Sequence, residues 1–493
     1  MTLQETSTLA ARRSTTARRI IAFWLPLCVG LVGFAHTALA ATYYVAENGN
    51  DATGVGSIGS PWRAPQFGAQ QLRSGDTLYI RAGTYNVPST SHYIPAITTV
   101  QRTTQAFTSL TTIAAYPGET VVLDGGAGPT NATIGTYNQD YVSIDGFVIK
   151  GQLVFWASNN SRGQNNDVSI GADNESGNGF GDVLRVQRCS NILIRNNRLH
   201  DNVDGTGGTS FNQSLSVIYT SDHVVYENNE LYNSRMGGFW LKDSTQDITV
   251  RYNYIHDNPA SGIQQANQVT NGANDNTAIY QNIFANNNSS NGSGGGALSL
   301  LWQATGIKIY NNTFYGNLRA SIVHSVGGST LDYSLWNNIS VSPTQYHVTI
   351  LNSATIAGNM LFNDYNDYYG TASWFFGGAY ATLSAWQSAC QAGLTGCEAH
   401  SLVADPGFVN DSGSFGVPSD FKRTSYPTNG RGGSYASVMG AYITGSECIG
   451  LLSACAPPTC GNPTTCDVGE TCQSCPTDCE CRRPAAPANL RIE

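Results

Sequence analysis

The sequence is short of charge, and of positive charge most of all. Charged residues make up 12% of the 493, with 25 Lys and Arg against 34 Asp and Glu. A chain this acidic has no basic face with which to neutralise phosphates, which excludes nucleic acid and anionic membranes as partners. Past residue 40 there is no apolar run of membrane-spanning length, so no insertion into a bilayer is expected. A helical period is missing as well, because apolar residues alternate in short stretches punctuated by Gly, Asn and Ser, which is a strand pattern. Between Cys28 and Cys390 the only cysteine is Cys189, which reads as a small buried apolar residue.

The start of the chain is the exception to this polarity. Residues 1–40 carry Arg12, Arg13, Arg18 and Arg19, an apolar stretch from Ile20 to Leu39, and the small-residue site Ala38-Leu39-Ala40. Pro26 and His36 break the stretch, so it reads as a cleaved signal peptide and not as an anchor. Export as a secreted, extracellular or periplasmic protein is expected, with Cys28 leaving in the leader. Taking four arginines from 25 basic residues and Glu5 from 34 acidic ones leaves 21 against 33, a balance of minus 12.

The rest is organised around a repeat that runs from Asp182 to Asn352. It appears as Asn191-Ile-Leu-Ile-Arg-Asn-Asn197, His223-Val-Val-Tyr-Glu-Asn-Asn229 and Asp247-Ile-Thr-Val-Arg-Tyr-Asn253. It continues to Asn282, Asn312 and Asn338. The closing asparagines are 32, 24, 29, 30 and 26 residues apart. A period in this range marks units that cannot bury their own apolar faces and must stack. Each unit holds a Gly-led strand such as Gly238-Phe-Trp-Leu-Lys242, then the repeat, then a third strand such as Tyr254-Ile-His-Asp257. Three short strands per coil predict a parallel β-helix. The closing Asn tolerates a left-handed bend, and its amide can bond to the Asn of the next coil about 4.8 Å away. The same alignment stacks Arg195, Glu227, Arg251, Tyr280, Tyr310 and Trp336 in a second column, read as structural. Residues 158–181, rich in Asn, Gly and Ser, read as a long loop.

These Asn-terminated coils resemble the right-handed parallel β-helix proteins of the pectate-lyase-like superfamily. That broad group holds secreted polysaccharide lyases, polygalacturonases, uronan epimerases and some phage and surface proteins. The resemblance implies an all-β domain over residues 41–445. Residues 41–90 would form an N-terminal cap and first coil, with a short helix at Phe67 to Leu72, and residues 381–445 a C-terminal cap with a helix closed by Cys390 and Cys397. Residues 446–481 hold eight cysteines from Cys448 to Cys481 and read as a small disulfide-rich module. Zinc at Cys472 and Cys475 is the weaker alternative, and Asp467, Glu470 and Asp478 are the residues that could hold calcium. Residues 482–493 read as a linker and the start of a further domain. A monomer is expected.

The chemistry is expected on the outward face of the Gly-led strands, which lines the substrate groove in the resembled group. There Trp240 stacks on a sugar ring and Lys242 takes a proton beside a uronate carboxylate. Arg235 in the preceding turn lowers the lysine's pKa. Tyr219 and His200, from preceding coils, are the candidates to protonate the leaving oxygen, and Gln264 and Arg185 to bind substrate; no metal ligand is assigned. Arg185 to Arg251 holds seven basic and seven acidic residues, the part of the chain least repulsive to a polyanion. These residues favour a lyase that cleaves an acidic polysaccharide by β-elimination. The alternatives are hydrolysis by two of Asp182, Asp204, Asp243 and Asp257, and a carbohydrate-binding or surface protein with no catalysis. The polygalacturonase signatures Asn-Thr-Asp, Asp-Asp and Gly-His-Gly, the pectate-lyase Trp-Ile-Asp-His and the epimerase Asp-Pro-His-Asp are all missing, so roles rest on position alone. The leader can be checked directly: amino-terminal sequencing of exported protein should begin at Ala41, and a start at Met1 would refute its cleavage.

Overall fold

The computed structural model describes residues 40–87, 93–99, 106–126, 132–170, 181–202, 214–265, 274–287, 295–301, 303–325, 331–351, 356–410 and 415–455. The leader, Asp204, the cysteines from Cys460 to Cys481, the acidic residues near them and the C-terminal linker lie outside these residues.

Strands of two to seven residues follow one another around each coil and pair with the coils before and after. Among the described residues they form sheets of thirteen, eleven and eleven strands. The pairing is parallel except for one short antiparallel pair, Ser373–Phe376 with Ala379–Tyr380. The first sheet runs from Thr42–Val45 to Met360–Asp364, the second from Gly83–Asn86 to Asp367–Tyr369, and the third from Ala132–Tyr137 to Ala379–Tyr380. Because side chains alternate across each strand, every second residue enters the core in register with its neighbours. One such column is Ile194, Tyr226, Val250, Ile279, Ile309 and Leu335, none more than 1% exposed. Each full burial of this kind contributes about 1.5–3 kcal/mol, which a single coil could not obtain alone.

The asparagine column is present and longer than the repeat predicts. Asn166, Asn197, Asn229, Asn253, Asn282, Asn312 and Asn338 each donate Nδ2 to the Oδ1 of the next, ending on Asn366, at 2.9 to 3.1 Å. Each Oδ1 also accepts the backbone N–H of the Asn one coil before, at 2.9 to 3.1 Å. The left-handed bend, however, belongs to the residue before: Asn196, Asn228, Tyr252, Gln281, Asn311 and Asn337 have φ between 51° and 56°. That residue turns the chain and points outward, so the ladder Asn can point in. The second column is structural as expected. Glu227 joins Arg195 and Arg251, whose Nη1 donates to Tyr280 Oη, and Tyr280, Tyr310 and Trp336 stack with centroids 4.8 and 4.6 Å apart.

Two sequence readings need correction. Within the expected loop 158–181, Asn159–Gln164 and Asp167–Ser169 are strands of the first and second sheets, and Asn166 opens the ladder between them. Their polar residues face outward or join the ladder, except inward Ser161, whose Oγ accepts from Val142 N and donates to Asn159 O, while inward Gly163 leaves room for Leu153 and Phe155. Residues 171–180 lie outside the described residues. The second correction concerns residues 431–455, which form a strap running back along the coils. Asn337 binds Arg431 and Ala436, Asn311 binds Val438 and Gly440, Asn228 binds Cys448 and Gly450, and Asn196 binds Leu452. The outward turn residues thus receive the strap, and the boundary expected at 446 falls inside it. Cys448 pairs with Cys455 in this strap.

At the C-terminal end, helix Leu383–Gln391 closes the core with the Cys390–Cys397 disulfide. Buried Glu398 accepts from Asn363 Nδ2, Tyr368 Oη and Trp386 Nε1 at 2.8, 2.6 and 3.1 Å, and from Ser401 Oγ. At the other end helix Pro65–Gln71 packs on the first strands. Among the described residues no helix is long and apolar enough to cross a membrane.

Two measurements test this account. Asn253→Ala leaves the buried Asn229 backbone N–H, and the one Nδ2 hydrogen not bonded to Ile194 O, without an acceptor, and should lower unfolding stability by about 2–4 kcal/mol, read by urea denaturation. The second concerns the interior histidines. Burial lowers His324 to about 4 and His347 to about 3, so each is neutral in the fold and protonates first in the unfolded chain. Their stabilisation is complete above the unfolded value near 6.5 and is lost as pH falls toward those folded values. Between pH 6.5 and 5 this amounts to about 2 kcal/mol for each. His347→Gln should therefore lose less stability than the parent over that interval, and equal losses would refute the assignment.

Candidate functional site

The third sheet turns polar groups outward where its neighbours turn apolar ones inward. Its strand Gly237–Lys242 starts with glycine because a Cβ at Gly238 would meet Gly262 O at 2.6 Å. Phe239 and Leu241 then enter the core at 0% exposure, and Trp240 and Lys242 lie on the outer face. Register sets two outer columns side by side. One is Arg185, Val217, Trp240 and Gln264, and the other is Trp156, Gln187, Tyr219 and Lys242.

Lys242 is the centre of this arrangement. Its Nζ lies 4.5 Å from the Trp240 ring centroid and 5.2 Å from that of Tyr219. Burial lowers its pKa; Asp243 and Asp182 act the other way, and Arg185 adds to the lowering. Arg185 therefore takes the part expected of Arg235, which sits in the turn into the strand with its backbone N–H bonded to Asn202 Oδ1. Arg185 is itself buried, with Nη1 3.0 Å from Gln187 Oε1 and Nη2 paired with Asp182. Complete burial raises Asp182 to about 6 despite Arg185 and Lys242. The cluster thus holds an amine shifted toward neutrality, a carboxyl group that titrates near pH 6, and a phenol in register with the amine.

Trp240 differs from its expected role. It is only 9% exposed, packed with Val217, Tyr219 and Leu301, so it excludes water from Lys242 and offers no open face to a sugar. Gln264 follows it in register and is half-buried. His200 is not brought to this site. It closes Arg198–His200 of the second sheet, stacked on Tyr232 at 5.1 Å, with Nε2 and Nδ1 bonded to Asp167 and Asp201. Burial alone would lower its pKa, but those two carboxylates outweigh it and raise it. Asp257 likewise holds His256 at 2.7 Å from a left-handed turn position.

The residues that sequence reasoning missed are Asp182 as a partner of Arg185 and the aromatic Trp156. The first carried a signal, since Asp182 and Arg185 are three apart at the start of a strand. Cys189 is buried, bonded through Sγ to Phe155 O and Gln187 O, and burial pushes its thiol up to about 12. Among the described residues no group of three or more His, Cys, Asp or Glu is placed to hold a metal ion.

A family model described as "Pel9A-like, right handed beta helix region" matches residues 43–216, and one described as "Right handed beta helix region" matches residues 210–282. Among solved structures, pectate lyase Pel9A is similar at 18% identity over 64% of this chain and 78% of that one, with a TM-score of 0.43. The GH136 lacto-N-biosidase from Eubacterium ramulus is similar at 11% identity over 74% and 67%, TM-score 0.48. A rhamnogalacturonan lyase is similar at 12% identity over 75% and 91%, TM-score 0.44. No curated protein matches. The two right-handed β-helix matches, together spanning residues 43–282, and the three parallel sheets that wind around one core make the fold of this chain a right-handed parallel β-helix.

Proposed function

We propose that the chain is a carbohydrate-active enzyme that acts outside the cytoplasm and cleaves a uronate-containing polysaccharide by β-elimination, with Lys242 as the base. The observation that carries this reading is the half-buried Lys242 amine, set between Trp240 and Tyr219 with Arg185 behind it. Of the other three lysines in the sequence, Lys150 and Lys308 are exposed, and half-buried Lys422 stands 5.7 Å from the centroid of the Tyr442 ring, farther than Lys242 from either of its two rings. An amine is a useful base at neutral pH only when its pKa falls from the free value near 10.4 toward the working pH. Burial and a neighbouring cation do both parts of that work here.

In the reaction Lys242 Nζ takes the proton from the carbon beside the uronate carboxylate. The electron pair of that C–H bond becomes the new carbon–carbon double bond, and the bond to the glycosidic oxygen breaks with its pair on oxygen. Tyr219, in register with Lys242 one coil earlier, gives that oxygen its proton in this reading. Hydrolysis by the carboxyl groups beside Lys242, Asp182 and Asp243, is the competing reading.

The products separate the two. A panel of polyuronates should yield fragments that absorb in the ultraviolet, and saturated fragments from every active polymer would move the assignment to Asp182 and Asp243. Lys242→Ala should lose about 10²- to 10⁴-fold in turnover with the fold intact. The parent's kcat/KM should rise with pH through a pKa below that of free lysine. Arg185→Gln, by removing the nearby cation, should move that limb to higher pH. An unmoved limb would exclude Lys242 as the base.

A further inference from the structure

We propose that Trp156 and Arg188 form a distal subsite for a uronate ring, at the N-terminal end of the same outer face. It rests on the reading of Lys242 as part of a polyuronate groove and extends that groove to a defined length. Trp156 occupies the same outer column as Gln187, Tyr219 and Lys242, three strands before Lys242. At the usual strand spacing of about 4.8 Å this is roughly 14 Å along the stack. An extended chain of pyranose rings advances by a similar step, so a polymer lying along the column meets one coil for each ring.

Trp156 is half-buried where Trp240 is buried. Its indole is half-buried, steadied by the Tyr93 ring at 4.1 Å, and the Arg188 guanidinium stands 5.3 Å over it. Arg188 is exposed, in a chain that carries few basic residues, and it follows Gln187 at a left-handed position with φ of 56°. That conformation costs a side-chain-bearing residue more than it costs glycine, yet it sets this cation over the indole. An aromatic face takes the C–H face of a sugar, and a guanidinium takes a carboxylate in a two-pronged hydrogen bond. Together they fit an acidic sugar better than a neutral one. Tyr137 precedes Trp156 in the same column and is also half-buried, so the aromatic surface extends one coil further from Lys242.

Affinity electrophoresis of the full chain, in gels containing polygalacturonate or alginate and in gels containing neutral hydroxyethyl cellulose, tests the subsite without catalysis. Trp156→Ala and Arg188→Gln should each weaken retention in a polyuronate gel by about tenfold, the loss of one stacking or one charge-assisted contact. Tyr369→Ala, exposed on the second sheet, should keep the parent's retention. On polymer the two variants should raise KM with kcat unchanged, and on a disaccharide they should match the parent. Arg188 is exposed, so its variant keeps the proposal testable if Trp156→Ala unfolds. Retention equal to the parent in both variants overturns the subsite alone. Reduced retention together with saturated products keeps the subsite and overturns elimination. A parent retarded by neither polyuronate overturns both.

Discussion

The asparagine ladder is the contact on which the other parts of the structure depend. A coil of two dozen to three dozen residues has an apolar interior too small to hold itself together, and its turn leaves backbone N–H groups facing a dry core. Each ladder Oδ1 accepts both the side-chain and the backbone N–H of the coil before it, so the same atom that satisfies a buried donor also sets the register. A slip by one residue would turn every inward Ile, Val and Leu to solvent. Ladder and core therefore select the same alignment, and Arg195, Glu227 and Arg251 on the outer face support it by charge.

That shared register gives the outer face of the third sheet its chemical character. Side chains from positions 23 to 32 residues apart in sequence meet there at the spacing of paired strands. Lys242 is accordingly enclosed by a neighbour two residues away and another one coil away, and Arg185 approaches it from the column beside. Because Arg185 is committed to Asp182 and Gln187, its charge acts on Lys242 without offering itself to substrate. A surface lysine becomes a candidate base through this enclosure, and each contributor is a consequence of parallel stacking.

Much of this was legible because the ladder has a strict chemical requirement. Asn can donate and accept in the way the turn needs, so its column survives as a visible period from Asn197 to Asn338 even where the strands vary. Inward and outward faces followed from alternation, which placed Phe239, Trp240, Leu241 and Lys242 correctly. What failed was inference across faces. His200 precedes Lys242 by little more than a coil, yet it ends a strand of a different sheet, and closeness in sequence says nothing about which of three faces a residue shares. The exposure of Trp240 was equally hidden, since it depends on Val217 and Leu301 from other coils. Residues 158–169 were misread for the opposite reason: polar composition looks like a loop when only every second residue need be apolar. The strap has no period at all, and its partners are ordinary turn residues.

The strap also fixes where the polypeptide departs. After climbing the coils to the cap at Trp386, the chain descends along the outward turn residues and reaches Asn196 and Asn228. These lie on the coils that carry Arg185 and Tyr219. The last described stretch, Cys448 to Cys455, thus lies at mid-stack, level with the outer-face cluster though on another edge, and not at the tip of the solenoid.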